Sequence, residues 1–208
     1  MDRMKIFVFG FAHSGTSILK KIIGDHSKVY EVIREVYVPP PYSLLPHLVF
    51  KYPLLPEKHT HRNCKKIMII KNPYDIFGGY YLRYGKDYLK IKEHKIGDYM
   101  AFVRYFLQET DDYKIKYEDL FKSGEIEKIF KWIGLEYEGA KTRNAYCFPG
   151  IPIPEKMPKK QREGIEHGLY RTWQINQPLR DMTGESAKYL PKDIERYLRN
   201  HPTIKSLY

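Results

Sequence analysis

One short stretch limits this chain's fold more than any other: Gly10-Phe11-Ala12-His13-Ser14-Gly15-Thr16-Ser17. Before it, Lys5 to Phe9 is a β-rich run. After it, Thr16 to Ile23 places Ile18, Leu19, Ile22 and Ile23 on one helical face and Lys20 and Lys21 elsewhere, with Gly24 as the expected stop. A strand, a turn flanked by two glycines and a helix make the frame of a phosphate-binding loop. Glycines let the backbone bend so that successive N–H groups face one anion, and the helix start adds partial positive charge. In triphosphate-binding loops of this frame a Lys follows the second glycine. Here that position is Thr16, which suits a single terminal phosphate better than a triphosphate chain.

The rest of the first half repeats the alternation. Lys28 to Val38 contains a second β-rich run, and Ile67-Met68-Ile69-Ile70 is uniformly apolar, as a strand buried on both faces should be. Helical patterns follow at about Asp75 to Tyr84 and at Asp98 to Gln108. Tyr113 to Tyr117 reads as strand and Glu125 to Ile133 as helix, with Gly134 as its stop. This order predicts an α/β fold: one domain with a central parallel sheet flanked by helices. A chain of 208 residues, 42% hydrophobic and 15% aromatic, is long enough to bury its own core. Six prolines between Pro39 and Pro56 and four between Pro149 and Pro158 predict irregular segments. These are either plain surface loops or the walls of an acceptor cleft.

Charge narrows the partners. Lys and Arg number 36 against 25 Asp and Glu, a net charge of +11, which favours an anionic ligand. The basic residues are scattered and form no platform interleaved with aromatics, so no nucleic-acid partner is expected. Two cysteines, Cys64 and Cys147, make no disulfide framework. No apolar run approaches the roughly 20 residues of a membrane span, and the apolar stretch near Met1 is too short for a secretion signal. A cytoplasmic setting without membrane partners is the expectation. His59-Thr60-His61-Arg62-Asn63-Cys64 has metal-like residues but no second pair nearby, so no metal site is expected.

Three motifs in order carry a family resemblance. His13-Ser14-Gly15-Thr16-Ser17-Ile18-Leu19 resembles the loop with which sulfotransferases grip the 5′-phosphosulfate of 3′-phosphoadenosine 5′-phosphosulfate (PAPS). Ile69-Ile70-Lys71-Asn72-Pro73-Tyr74-Asp75, continuing to Tyr81, is similar to their strand–Arg-Asp-Pro-Arg-Asp–helix segment. In that segment the Arg and a later Ser hold the donor's 3′-phosphate. Ile115-Lys116-Tyr117-Glu118-Asp119-Leu120 resembles a third stretch, and the likeness spans about Lys5 to Leu135.

The resemblance implies a PAPS-dependent sulfotransferase of phosphate-loop type, with 3′,5′-ADP (PAP) as product and no metal. Residues 1–135 would form the donor-binding core and 136–208 a C-terminal cover within one domain, 1–208. His13, Ser14, Gly15, Thr16 and Ser17 would hold the 5′-phosphosulfate, with His13 also stabilising the leaving oxygen. Lys71 and Gly79 fall at the 3′-phosphate positions, but Lys replaces the forked Arg and glycine replaces the Ser. Arg83 or a tyrosine would then compensate. Arg162 and Arg171 lie in a late basic segment that would close over the donor. Glu35 is the expected catalytic base; Glu31 is second and is read rather as a charged surface residue, and His26 as a cap of the preceding helix. The acceptor, a hydroxyl or amine, is not legible; basic residues in the proline-rich segments favour a polar or acidic one such as a saccharide. The sequence leaves oligomeric state open. Two other readings stand: a divergent phosphate-loop kinase, and a non-catalytic relative that binds a nucleotide or polyanion.

Overall fold

The computed structural model describes residues 4–31, 47–52, 64–85, 88–109, 111–139 and 181–208, with backbone alone at 52, 83, 84 and 88–94. Five parallel strands form the sheet: β1 (Met4–Phe9), β2 (Val29–Glu31), β3 (His47–Tyr52), β4 (Lys65–Ile70) and β5 (Tyr113–Lys116). Their order is β2-β3-β1-β4-β5, so β1 is central and runs directly into the glycine-flanked turn. Helices α1 (Thr16–Gly24), α2 (Pro73–Tyr84), α3 (Tyr88–Gln108) and α4 (Glu125–Ile133) cover the sheet. Two short helices, α5 (Lys192–Asn200) and α6 (Pro202–Lys205), close the described chain.

The two faces of β1 bury different chemistry, because successive side chains point to opposite sides of a sheet. Ile6 and Val8 join Leu19, Ile22 and Ile23 of α1, Ile67 and Ile69 of β4, and Ile129, Phe130 and Ile133 of α4. Phe7 and Phe9 join Phe50, Met68, Phe77, Tyr80 and Tyr99 under α2 and α3, with Leu190, Ile194 and Leu198 of the C-terminal segment. Phe7 stacks on Phe50 with ring centroids 4.9 Å apart. The C-terminal segment is thus part of the core beneath α2.

Three elements depart from the expectations. The stretch between Pro39 and Pro56 is not irregular throughout, because His47–Tyr52 is a strand lying between β2 and β1. Leu48, Val49 and Phe50 are buried, and Pro46 and Pro53 bracket the strand without interrupting its ladder. Helix α3 begins at Tyr88, well before Asp98, and runs through Gly97, whose side-chain position faces open space. Glycine there weakens the helix without breaking it. Where the sequence reads as a terminal helix from Pro191 to Leu198, the helix starts at Lys192, with Pro191 as its N-cap, and continues to Asn200. The segment from Pro149 to Pro158 lies outside the described residues.

Candidate functional site

At the carboxyl end of β1 the turn is drawn tight by its glycines. A methyl group at Gly10 would overlap Ser14 Oγ and lie 2.5 Å from Thr16 Cγ2 and 2.7 Å from the carbonyl oxygen of Ile69. Gly15, with φ 95°, is left-handed, and a methyl group there would lie 2.5 Å from the Tyr117 ring. His13 is also left-handed, with φ 70°, a conformation that costs an ordinary residue about 1 kcal/mol or more. Strain of this kind persists only where the surrounding structure imposes it.

The turn's donors are only partly used. Ser14 N–H donates to the Phe11 carbonyl at 3.0 Å, and the Gly15 carbonyl accepts from Ile18 and Leu19. Among the described residues, the amides of Gly15, Thr16 and Ser17 donate to no backbone carbonyl. Ser14 is fully buried, yet its Oγ has no hydrogen-bond partner among the described residues. Helix α1 has no side-chain N-cap and no acidic residue in its first turn. An unneutralised helix start, free amides and an orphaned hydroxyl together suit a small tetrahedral anion. His13 stands exposed at the rim, its ring edge-on to Tyr80 with centroids 4.7 Å apart.

Beside this turn, β4 delivers Lys71. The side chain is buried, with Nζ 4.3 Å from the centroid of Tyr117 and 3.5 Å from Asp75 Oδ2. Tyr117 also lies against Gly15, so one ring touches both Lys71 and the turn. Burial pushes the Tyr117 hydroxyl up to about 12, so it stays neutral across the physiological range. Glu118 Oε1 accepts from Asn72 N–H at 2.7 Å, while its buried Oε2 has no partner among the described residues. Burial raises the pKa of that carboxyl above the ordinary glutamate value.

Helix α2 starts differently from α1. Asn72 Oδ1 caps it by accepting from Tyr74 N–H at 2.9 Å, Pro73 follows, and Asp75 lies in the first turn. Asp75 also reaches the C-terminal segment. Its Oδ1 accepts from Ser186 N–H at 3.0 Å and Ala187 N–H at 3.1 Å, and its Oδ2 from Gly184 N–H at 2.7 Å. Gly79 lies on α2 facing that segment, and the nearest atoms to a side chain there would be Ser186 Oγ and Cβ, at 3.7 and 3.9 Å.

The turn from His13 to Ser17 and Lys71 are therefore brought together, and Gly79 sits on the adjoining helix. Glu35, Arg162 and Arg171 lie outside the described residues, as does the side chain of Arg83. Glu31 is no surface charge: at the end of β2 it pairs with Lys20 of α1 at 3.1 Å, largely buried. His26 does not cap α1 with its ring. It turns inward, stacks on Phe130, and its Nδ1 accepts from Lys28 N–H at 3.0 Å. Sequence reasoning assigned no role to Tyr117, Asp75 or Ser186. Tyr117 sits within a recognised motif, but the contacts of Asp75 and Ser186 cross over 100 positions of chain and leave no local signal.

Among the described residues no group of three or more His, Cys, Asp or Glu is placed to hold a metal, and no helix is long and apolar enough to cross a membrane. A scan against protein-family models and a search of curated proteins each find no match. Solved structures do match. The mouse sulfotransferase SULT7A1, crystallised with PAP, aligns with a TM-score of 0.59 at 15% identity, covering 100% of this chain and 89% of that one. The sulfotransferase domain from the curacin biosynthetic pathway aligns with a TM-score of 0.51 at 12% identity, covering 91% of this chain and 96% of that one.

Proposed function

Taking this sulfotransferase-like fold as the premise, we propose that the protein transfers a sulfuryl group from PAPS to a hydroxyl or amine of a polar acceptor, a saccharide being the class its charge favours. The observation that carries this reading is the start of α1. There, unspent amides at 15–17, a buried hydroxyl without a partner and two glycines that admit no side chain form a cradle. These features fit the terminal phosphosulfate of the donor, and the SULT7A1 structure that shares the fold is a PAP complex.

When bound, the donor supplies an activated sulfuryl group on a phosphate leaving group. The amides of Gly15, Thr16 and Ser17 hold the phosphosulfate, with Thr16 and Ser17 adding hydroxyls. His13 places its imidazole at the rim, where a proton would stabilise charge on the bridging oxygen as the sulfur–oxygen bond breaks. Glu35 takes the proton that the acceptor loses as its oxygen or nitrogen bonds to sulfur. Lys71 supplies cationic charge near the turn, and Arg162 and Arg171, which lie outside the described residues, are the further cations that the resemblance assigns to the donor. The domain division follows the same reading, with 1–135 binding donor and 136–208 covering it.

One observation favours a second reading, a relative that binds nucleotide without transfer. Lys71 is already engaged by Asp75 and buried, so its charge is shared before any ligand arrives. Labelled PAPS, offered with saccharide, amine and phenol acceptors, separates the two readings. Transfer that disappears in Glu35→Gln, by at least about 100-fold, while 3′,5′-ADP still binds supports the enzyme. Binding of 3′,5′-ADP with no transfer to any acceptor supports the binder. Failure to bind 3′,5′-ADP at all overturns both.

A further inference from the structure

We propose that Ser186, carried by the C-terminal turn that Asp75 holds against α2, donates its hydroxyl to the second phosphate of the bound nucleotide, a phosphate monoester. This rests on the nucleotide-binding reading above and adds a ligand to it from a distant part of the chain.

The argument starts with a pair of glycines in a helix. Two adjacent glycines weaken a helix interior by about 1 kcal/mol each relative to alanine, so their presence in α2 needs a reason. For Gly78 the reason is steric: a methyl group there would overlap the carbonyl oxygen of Ser186 and lie 2.7 Å from its carbonyl carbon. Only glycine lets the turn approach so closely. At Gly79 there is room. The nearest atoms to a side chain would be Ser186 Oγ at 3.7 Å and Cβ at 3.9 Å. Where a serine at 79 would present a hydroxyl, Ser186 presents one from outside the helix.

That hydroxyl is placed by a rigid support. Asp75, itself buried, accepts hydrogen bonds from the amides of Gly184, Ser186 and Ala187, so the backbone on both sides of the Ser186 side chain is fixed. The same carboxylate holds Lys71 at 3.5 Å. A cation and a hydroxyl thus hang from one carboxylate, beside the turn that faces the first phosphate. Among the described residues no hydrogen bond is made by Ser186 Oγ, which leaves its proton available. A hydroxyl donor and an ammonium group whose supports share one carboxylate match a phosphate monoester in charge and in hydrogen-bonding type. Distance between the two sites gives selectivity: a nucleotide with one phosphate uses the first, and a bisphosphate uses both.

Calorimetric titration with 3′,5′-ADP and 5′-AMP tests this without any turnover. Ser186→Ala should weaken 3′,5′-ADP binding about tenfold, the worth of one hydrogen bond to a charged group, and leave 5′-AMP unchanged. Adding Gly79→Ser to Ser186→Ala should restore most of the lost affinity, because position 79 has space for a hydroxyl. Wild-type discrimination between the nucleotides that survives in Ser186→Ala overturns this inference alone. An equal loss for both nucleotides also overturns it, since that would be a general loosening. Wild-type protein that binds neither nucleotide overturns the underlying reading and this one with it.

Discussion

Helices α1 and α4 begin with the same backbone device but differ in the charge of their first turns. Each is preceded by a left-handed glycine, Gly15 with φ 95° and Gly124 with φ 80°, and neither has a side-chain cap. In α4 the first turn holds Glu125 and Glu127, which answer the positive end of the helix from within the chain. In α1 the corresponding residues are Thr16, Ser17 and Ile18, with no acid among them. Surroundings differ too. Gly124 faces open space, whereas Gly15 lies against Tyr117 with buried Ser14 beside it. A glycine turn at a helix start therefore does not make an anion site by itself. The lack of an internal counter-charge, with donors held in a fixed cradle, separates α1 from α4.

The sharpest test of this contrast is a matched pair of substitutions. Gly15→Val should abolish nucleotide binding, with a loss above about 100-fold. Gly124→Val should cost about 1–2 kcal/mol of stability through its left-handed backbone and leave nucleotide affinity within about twofold. Equal effects on binding, read by calorimetry beside thermal unfolding, would break the comparison. A smaller effect comes from moving the charge. Ser17→Asp gives α1 the kind of acid that α4 carries and should weaken 3′,5′-ADP about tenfold, more at low salt than at high. Glu127→Gln in α4 should leave that affinity unchanged and lower stability by about 0.5 kcal/mol. The smallest difference is one of pH. The α4 start carries two carboxylates, whereas the rim of the α1 turn carries His13, an imidazole, the side-chain type whose charge changes nearest neutrality. If its protonated form serves the leaving oxygen, transfer should fall as pH rises. His13→Lys should flatten that profile, and an unchanged profile would remove His13 from the role.

Local patterns were legible in the sequence, and contacts across the chain were not. The apolar positions of Glu125–Ile133 and the stop at Gly134 declared α4 to the residue, because a helix writes its period and its cap within a few positions. The turn from Gly10 to Ser17 was legible for the same reason. Strand β3 was hidden by prolines that flank it, since their number outweighed the short apolar run Leu48-Val49-Phe50. The surroundings of Lys71 were hidden more deeply. Its position at the end of β4 could be read from Ile67 to Ile70, but the partners that engage it could not. Tyr117 arrives from β5, and Asp75 takes its orientation from amides at 184, 186 and 187. Those contacts depend on the sheet order and on the docking of the C-terminal segment, which no nearby residue announces.

Gly78 also bears on how such a chain can diverge. The carbonyl of Ser186 lies so close that even alanine would push the turn at 184–187 away from α2, and the anchoring at Asp75 would be lost in the same step. Its neighbour Gly79 is under no such constraint. Homologues should therefore keep glycine at the first of these two positions through long drift while the second also admits a small residue such as serine, so the helix carries a fixed site and an experimental one side by side.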